Sequence, residues 1–185
     1  MDNLILTAAE AAETMKNAMN KQRGETYEEN LWREHEATFK AMLYHQLIMN
    51  GLECYRISME NSPVAEGNKD IESKRIDIWI DEEEEDYFLE VKRVYVNPDT
   101  KGLRRVNNKN GVYGDLLKLT KIVKYHNDEN TFGTVIAVYN GPDDAIDCEY
   151  IESKLKTDVK SLLNNYVRMI ICAKGKCKYV KTNGT

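Results

Sequence analysis

The sequence predicts a single α/β domain whose core runs helix, three strands, helix, strand. Apolar residues recur at helical spacing in residues 27–49 and 112–123. Between and after these segments lie short runs in which apolar residues alternate with polar ones or cluster, as is typical of strands. The chain of 185 residues, 42% of them apolar, is long enough for one buried core and contains no internal repeat or long linker.

Two helices are predicted before the first strand. The first covers residues 4–20 and belongs to a leading segment, residues 1–24, that could pack on the body or on a partner. Its apolar stripe consists of Leu4, Ile5, Ala8, Ala12, Met15 and Met19. The second opens the core, residues 25–140, and ends at Asn50-Gly51, because glycine readily adopts the conformation that follows a helix. Its stripe consists of Leu31, Phe39, Met42, Leu43, Leu47 and Ile48.

The remaining elements follow from the same patterns. Strands are predicted over residues 53–60, 75–81 and 86–96, followed by an Asn- and Gly-rich loop over 97–111. The next helix has the stripe Val112, Leu116, Leu119 and Val123, and it leads to a strand over 131–139. The C-terminal part, residues 141–185, is predicted to contain a turn at 141–144, a helix over 152–165, and a hairpin of 167–173 with 176–181 around Lys174-Gly175.

Composition excludes several classes of protein. No stretch approaches the roughly 18 apolar residues of a membrane span, and the N-terminus does not resemble a signal peptide. We therefore expect a soluble, cytoplasmic protein without membrane contacts. The cysteines form no C-x-x-C pair, so neither a zinc site nor a redox motif is indicated, and we expect all four to be reduced and structural. They are Cys54, Cys148, Cys172 and Cys177.

The net charge of −5 conceals two basic blocks. Residues 1–91 carry a net charge of −12, whereas residues 92–124 carry +7, so the sign changes at Lys92. Residues 125–153 carry −7 and residues 154–185 carry +7. The acidic balance argues against non-specific coating of nucleic acid, but the block from Lys92 onward is a candidate surface for phosphates.

The predicted hairpin between residues 75–81 and 86–96 fixes a register. If Glu82–Glu85 form a four-residue loop, Ile76 pairs with Val91 and Ile78 with Leu89, so these apolar pairs share one face. On the other face the same register pairs Arg75 with Lys92, Asp77 with Glu90, and Trp79 with Phe88. Two carboxylates are therefore expected to face each other across adjacent strands.

A bound divalent cation would explain this carboxylate pair. Like charges directly opposite each other cost a sheet up to about 1 kcal/mol, so a purely structural role accounts for the pair poorly. Mg²⁺ prefers carboxylate oxygens and activates water for attack on phosphate, and Mn²⁺ is a natural substitute. Because side chains alternate along a strand, Lys92 shares the face of Glu90 and can approach the same water or phosphate.

The order Arg75-Ile-Asp77, hairpin, Glu90-Val91-Lys92 resembles the PD-(D/E)XK nuclease superfamily. The resemblance covers residues 27–140 and implies a restriction-endonuclease-like αβββαβ core with a mixed central sheet flanked by helices. It also implies an endonuclease that hydrolyses phosphodiester bonds in DNA by a metal-activated water. Ile76 stands where the family usually has proline, a departure that leaves the catalytic side chains Asp77, Glu90 and Lys92 in place.

The resemblance implies two further site residues. Many members carry a glutamate on the first core helix, and Glu36 resembles it, with Glu34 as the rival and an exposed helix residue as the plain alternative. In the family the carbonyl of the middle residue of (D/E)-X-K often joins the metal shell. That role would carry over to Val91, beside Asp77 and Glu90.

The basic block after Lys92 predicts a nucleic-acid surface. Its members lie on the third strand, the following loop and the next helix, beside the proposed metal, and would contact phosphates. They are Arg93, Lys101, Arg104, Arg105, Lys109, Lys118 and Lys121. The alternative is ordinary solubilising charge.

Other functions remain open on the sequence alone. The chain could be a catalytically silent nuclease-fold module that binds nucleic acid or a protein partner, or a nuclease directed to RNA or to particular nucleic-acid structures. The leading helix could form a homodimer through Met15 and Met19, the alternative being that these side chains pack in the core.

Overall fold

Helices cover both faces of a six-stranded mixed β-sheet. The computed structural model describes residues 2–22, 31–62, 75–97, 99–126, 129–139, 141, 143 and 145–181, and for residues 2, 18–22 and 31–35 it describes the backbone alone. In chain order the elements are α1 (Asp2–Gln22), α2 (Leu31–Met49), β1 (Ile57–Asn61), β2 (Ile76–Asp81), β3 (Asp86–Arg93), β4 (Tyr95–Val96), β5 (Leu103–Arg104), α3 (Val112–His126), β6 (Thr131–Tyr139), α4 (Cys148–Ser153), α5 (Thr157–Lys160), β7 (Val167–Ala173) and β8 (Lys176–Tyr179).

The sheet order is β1-β2-β3-β6-β7-β8. The β3–β6 and β6–β7 pairs are parallel, and the other pairs are antiparallel. The predicted order of helix, three strands, helix, strand is confirmed by α2, β1, β2, β3, α3 and β6, with the two-stranded ribbon β4–β5 inserted before α3. The mixed α/β architecture with flanking helices is therefore confirmed.

Two hydrophobic cores lie on opposite faces of the sheet. Helices α1 and α2 cover one face, where Phe39 and Leu43 pack against Ile78, Leu89 and neighbouring strand residues. Helices α3 to α5 cover the other face, with the α3 side chains Val112, Leu116, Leu119 and Ile122 fully buried. The predicted stripe ended with Val123, but the fully buried residue at this end of α3 is Ile122, and Val123 is half-buried.

Helix α1 packs on the body of its own molecule. It contacts α2, β7 and β8, and Met15 is 1% exposed within the core of that face. The side chain of Met19 lies outside the described residues. For Met15 the expectation of core packing is thus confirmed, and this side chain is not available to a dimer partner.

The prediction of one helix over residues 152–165 is wrong. Two short helices, α4 and α5, occupy this region. Helix α4 begins earlier than predicted, at Cys148, and the side chain of its N-cap residue Asp147 accepts from Tyr150 N–H. The helix breaks after Lys154 because the Asn107 side chain binds the backbone there, donating to Lys154 O over 2.8 Å and accepting from Lys156 N–H over 2.9 Å. A contact made by a distant loop therefore overrides the helical pattern.

The expectation of four reduced cysteines is also wrong. Cys172 and Cys177 form a disulfide, because the hairpin pairs them directly across β7 and β8. Cys54 and Cys148 are free thiols, the first exposed and the second buried. Within the described residues, none of the helices combines the length and the apolar character needed to cross a membrane.

Candidate active site

The β2–β3 hairpin has the predicted register, but its ladder stops one pair before the two carboxylates. Pairing runs from Asp81–Asp86 to Ile78–Leu89 and does not continue to Asp77. Ile76 lies in the core under α3, whereas Val91 lies in the core under α2, so the predicted Ile76–Val91 pair on one face is wrong. The two strands separate at the position where the site residues begin.

The Asp77 side chain explains why the ladder ends there. Its Oδ2 accepts a hydrogen bond from Val91 N–H over 2.8 Å, so a carboxylate takes a backbone donor of β3. Its Oδ1 lies 3.0 Å from the Lys40 ammonium, which also contacts Glu60 at 2.6 Å. Asp77 is therefore held between the backbone of β3 and a lysine of α2.

Glu90 is the most deeply buried charged residue of the site. It is 3% exposed, and its Oε1 contacts the Lys118 ammonium of α3. Burial, together with the neighbouring Asp77 charge, raises the pKa of Glu90 to about 8, although Lys118 opposes the rise. In the metal-free protein this carboxyl group therefore titrates near neutral pH.

Lys92 lies between two carboxylates from different helices. Its ammonium is 3.2 Å from Asp115 Oδ2 on α3 and 3.9 Å from Glu36 Oε1 on α2. Burial acts to lower the pKa of Lys92, but Asp115 and Glu36 together raise it above its ordinary value. Burial raises the pKa of Asp115, and the nearby Lys92 and Lys118 only partly oppose this rise. The ion pair between Lys92 and Asp115 therefore stabilises the charge of Lys92 but does not fully compensate for the desolvation of Asp115.

Glu36 faces the site and joins three of its parts. Its Oε2 accepts from Arg93 N–H over 3.0 Å at the end of β3 and lies 3.5 Å from the Arg105 guanidinium, while its Oε1 faces Lys92. The side chain of its rival, Glu34, lies outside the described residues. Asp77, Glu90, Lys92 and Glu36, predicted from three separate segments, thus converge where β2 and β3 part.

Sequence reasoning missed three residues of this cluster. Lys40 lies one helical turn after Glu36, on the same side of α2. Asp115 and Lys118 lie three residues apart on α3, and Lys118 was assigned to the nucleic-acid surface. In the structure Lys118 contacts Glu90 and donates to Arg75 O over 2.9 Å. The sequence shows an acidic and a basic residue three or four positions apart on each helix. It does not show that these faces of α2 and α3 pack against β2 and β3.

The other predicted phosphate-binding residues lie on β3, on α3 or between them, and these two elements contribute Glu90, Lys92, Asp115 and Lys118 to the cluster. Lys101, Arg104, Arg105, Lys109 and Lys121 are exposed. Arg93 is half-buried, with its guanidinium 5.2 Å from the centre of the Tyr95 ring. The loop that carries several of them folds back on α3, because Val112 N–H donates to Arg105 O over 2.8 Å. The basic residues of the loop therefore have a fixed relation to α3.

The donor set fits a magnesium-like cation in part. Among the described residues, no three carboxylate, histidine or cysteine side chains are gathered closely enough to form a complete metal cage. Asp77 and Glu90 supply two carboxylates, which suits Mg²⁺ because this ion usually keeps several waters and takes only one or two protein carboxylates. Glu90 Oε1 is also a buried oxygen, and the Lys118 ammonium contacts it. An oxygen of that kind can accept a cation.

The opposite end of the hairpin is acidic. Two surface cavities of about 340 and 610 Å³ lie there, and Glu82 and Glu85 line both. Gly51 and Leu52, at the end of α2, line them as well. The basic loop and the acidic hairpin loop thus lie at opposite ends of β2 and β3.

No family model and no curated protein matches the chain. Among solved structures, the chain is similar to SfsA of Pyrococcus furiosus in complex with Ca²⁺, with 12% identity and a TM-score of 0.40. The match covers 77% of this chain and 62% of the SfsA chain, so this chain spans about three-fifths of the length of that structure. A TM-score of this size does not establish a shared fold.

Proposed function

We propose that this protein is a metal-dependent endonuclease of the PD-(D/E)XK type that hydrolyses phosphodiester bonds in DNA. The observation that carries the proposal is the convergence of Asp77, Glu90, Lys92 and Glu36 from β2, β3 and α2. Burying several carboxylates beside one another is costly, and a site for a cation and a phosphate is a reason to maintain it.

In this proposal Asp77 and Glu90 hold Mg²⁺, or Mn²⁺ in its place, together with the carbonyl of Val91. The ion would polarise the scissile phosphate and lower the pKa of the attacking water. Lys92 would orient that water and offset the negative charge that develops on the phosphate. Glu36 and Asp115 hold the Lys92 ammonium from two sides, so its position is fixed before substrate binds.

The charge distribution supports nucleic acid as the substrate. Arg105 is 44% exposed at the side chain and lies beside Glu36, and Lys101, Arg104 and Lys109 are exposed on the same loop. Such residues bind the phosphate backbone without regard to sequence. The acidic loop at residues 82–85 would repel a polyanion from the opposite end.

A cleavage assay tests this function. Purified protein is incubated with supercoiled plasmid and labelled duplex oligonucleotides in Mg²⁺ or Mn²⁺, and we expect cutting that Asp77→Ala and Lys92→Ala each reduce to background. Glu84→Ala, on the exposed hairpin loop, is the matched control and should cut like the parent. Cutting that persists in both site variants would rule out the mechanism. Single-stranded, branched and RNA substrates of the same length test the RNA-directed and structure-selective alternatives.

A second function is favoured by one observation. Each proposed metal carboxylate already has a lysine partner, Lys40 for Asp77 and Lys118 for Glu90. Such internal neutralisation suits a catalytically silent module that binds nucleic acid or a protein. Calorimetry with Mn²⁺ separates the two functions. Saturable binding that Glu90→Ala abolishes supports the enzyme, whereas absence of metal binding with retained nucleic-acid or protein binding supports the module.

A further inference from the structure

Lys118 has an unusual position for a basic residue beside a nucleic-acid surface. Its side chain is only 17% exposed, and its ammonium contacts Glu90 Oε1 and the carbonyl oxygen of Arg75. The nearby α3 residues Lys121 and Lys124 are exposed. Lys118 therefore points into the site, whereas these two lysines of the same helix face solvent.

An ammonium group and a metal ion compete for the same oxygen. Glu90 Oε1 is buried, and among the described residues the Lys118 ammonium is the group that holds it in the metal-free protein. Two cations cannot share one buried carboxylate oxygen without strong repulsion. A cation that binds Glu90 through Oε1 must therefore displace Lys118.

Lys118 is better placed to leave Glu90 than Lys40 is to leave Asp77. Lys40 has a second carboxylate partner, Glu60, at 2.6 Å, and would keep it after losing Asp77. Among the described residues the other contact of Lys118 is the neutral carbonyl of Arg75. The charge of Asp115 also attracts Lys118, but its carboxylate faces Lys92 at 3.2 Å. The flexible four-carbon stem of a lysine allows its ammonium to turn toward a phosphate.

We propose that Lys118 is an exchangeable counter-ion that neutralises Glu90 in the metal-free protein and moves to a nucleic-acid phosphate when the metal binds. The inference rests on the proposed function, because it takes Glu90 as a metal ligand. It adds that the binding of metal and the binding of nucleic acid are coupled through one side chain. Such coupling is reciprocal, so each ligand increases the affinity for the other.

The first test measures metal binding alone. Mn²⁺ is titrated calorimetrically into the full-length parent, Lys118→Met and Lys118→Arg in the same buffer at the same pH. Removing the competing ammonium should increase the Mn²⁺ affinity of Lys118→Met about tenfold, a change of the size that residues around metal ligands typically produce. Lys118→Arg keeps the charge and should bind like the parent. Lys124→Met, which removes an exposed charge from the same helix, should also bind like the parent.

The second test measures nucleic-acid binding. A duplex oligonucleotide is titrated with and without Ca²⁺, which binds oxygen ligands as Mg²⁺ does. The parent should bind more tightly with Ca²⁺, and Lys118→Met should lose most of that increase while its binding in chelator changes little. Lys118→Gln repeats both titrations if Lys118→Met yields little folded protein.

The outcomes separate the inference from the proposed function. If the parent binds Mn²⁺ and the neutral variants show no increase in affinity, the inference is overturned and the nuclease proposal stands. An equal increase in Lys118→Arg would also overturn it, because the effect would then not depend on the charge. If neither the parent nor the neutral variants bind metal, the proposed function fails and the inference fails with it.

Discussion

Glu90 combines a buried carboxylate, a neighbouring like charge and a single lysine contact. Desolvation and Asp77 raise its pKa to about 8, above the ordinary 4.5. The folded, metal-free protein therefore holds this proton more tightly than the unfolded chain does. As a consequence, the free energy of unfolding falls as the pH rises between these two values.

Substituting Glu90 tests directly whether its ionisation lowers the free energy of unfolding. In Glu90→Gln the side chain stays neutral, so the variant should match the parent below about pH 4.5 and become more stable than the parent as the pH approaches 8, by on the order of a few kcal/mol. Urea denaturation in chelator at several pH values measures the difference. Glu84→Gln removes an exposed carboxylate as the control. A stability difference that stays constant with pH would contradict the burial argument.

At the residue scale, the sequence predicted the acidic residues and the lysine that lie on the strands. Asp77, Glu90 and Lys92 were predicted from the hairpin register, although the ladder ends before Asp77 and Glu90 pair, and Glu36 was predicted from the family resemblance. Asp115 and Lys118 were missed as site residues because the rotation of α3 on the sheet depends on how its side chains pack under β3. No local pattern encodes that packing.

At the element scale, the basic loop and the first turn of α3 form one unit. Val112 N–H and Tyr113 N–H donate to the carbonyls of Arg105 and Val106, so the loop satisfies donors that a helix N-terminus leaves free. Gly114 permits this close approach, because a Cβ there would lie 1.9 Å from Lys109 O. The sequence predicted a loop here, but its docking on α3 was not visible.

Gly114→Ala should therefore destabilise the protein, although alanine has the higher helix propensity. Alanine normally stabilises a helix interior by about 1 kcal/mol relative to glycine, but here the overlap with Lys109 should destabilise the protein by about 1–3 kcal/mol. The displaced loop should also bind duplex DNA more weakly. Chemical denaturation and a binding titration measure the two effects. Gly102→Ala is the control, since a Cβ at position 102 would lie 3.4 Å from its nearest neighbour, Thr100 Oγ1. Increased stability in Gly114→Ala would contradict the described packing.

At the scale of the whole molecule, α1 is part of the structure that supports the sheet. Its buried side chains, Met15 among them, contact the same core as α2, β7 and β8. The helix itself was predictable from its apolar spacing. Its docking on the far strands was not, because such a stripe fits a partner molecule as well as the chain's own sheet.

Met15→Ala tests this assignment. Truncation of a buried methionine should lower the free energy of unfolding by about 2–4 kcal/mol, because it leaves a cavity in the core. The molar mass from light scattering should be the same in the parent and the variant. Leu6→Ala, at a position 61% exposed on the same helix, should leave both quantities nearly unchanged. A fall in mass with unchanged stability would instead indicate a dimer interface at α1.

The disulfide could have been predicted from the sequence, whereas the break in the C-terminal helix could not. The hairpin around Lys174-Gly175 was predicted, and its register places Cys172 opposite Cys177, so the bond could have been inferred from that pairing. The break after Lys154 could not, since it depends on Asn107, almost fifty residues earlier in the chain.

The most direct test of the central claim is the position of a bound metal ion. Crystals grown or soaked with Mn²⁺ would reveal it by anomalous scattering. We expect one ion between Asp77 and Glu90, about 2.1 Å from an oxygen of each, with the Lys92 ammonium directed toward the same region. An ion bound elsewhere, or a folded protein whose Asp77 and Glu90 carboxylates stay paired with Lys40 and Lys118 at saturating Mn²⁺, would contradict the claim.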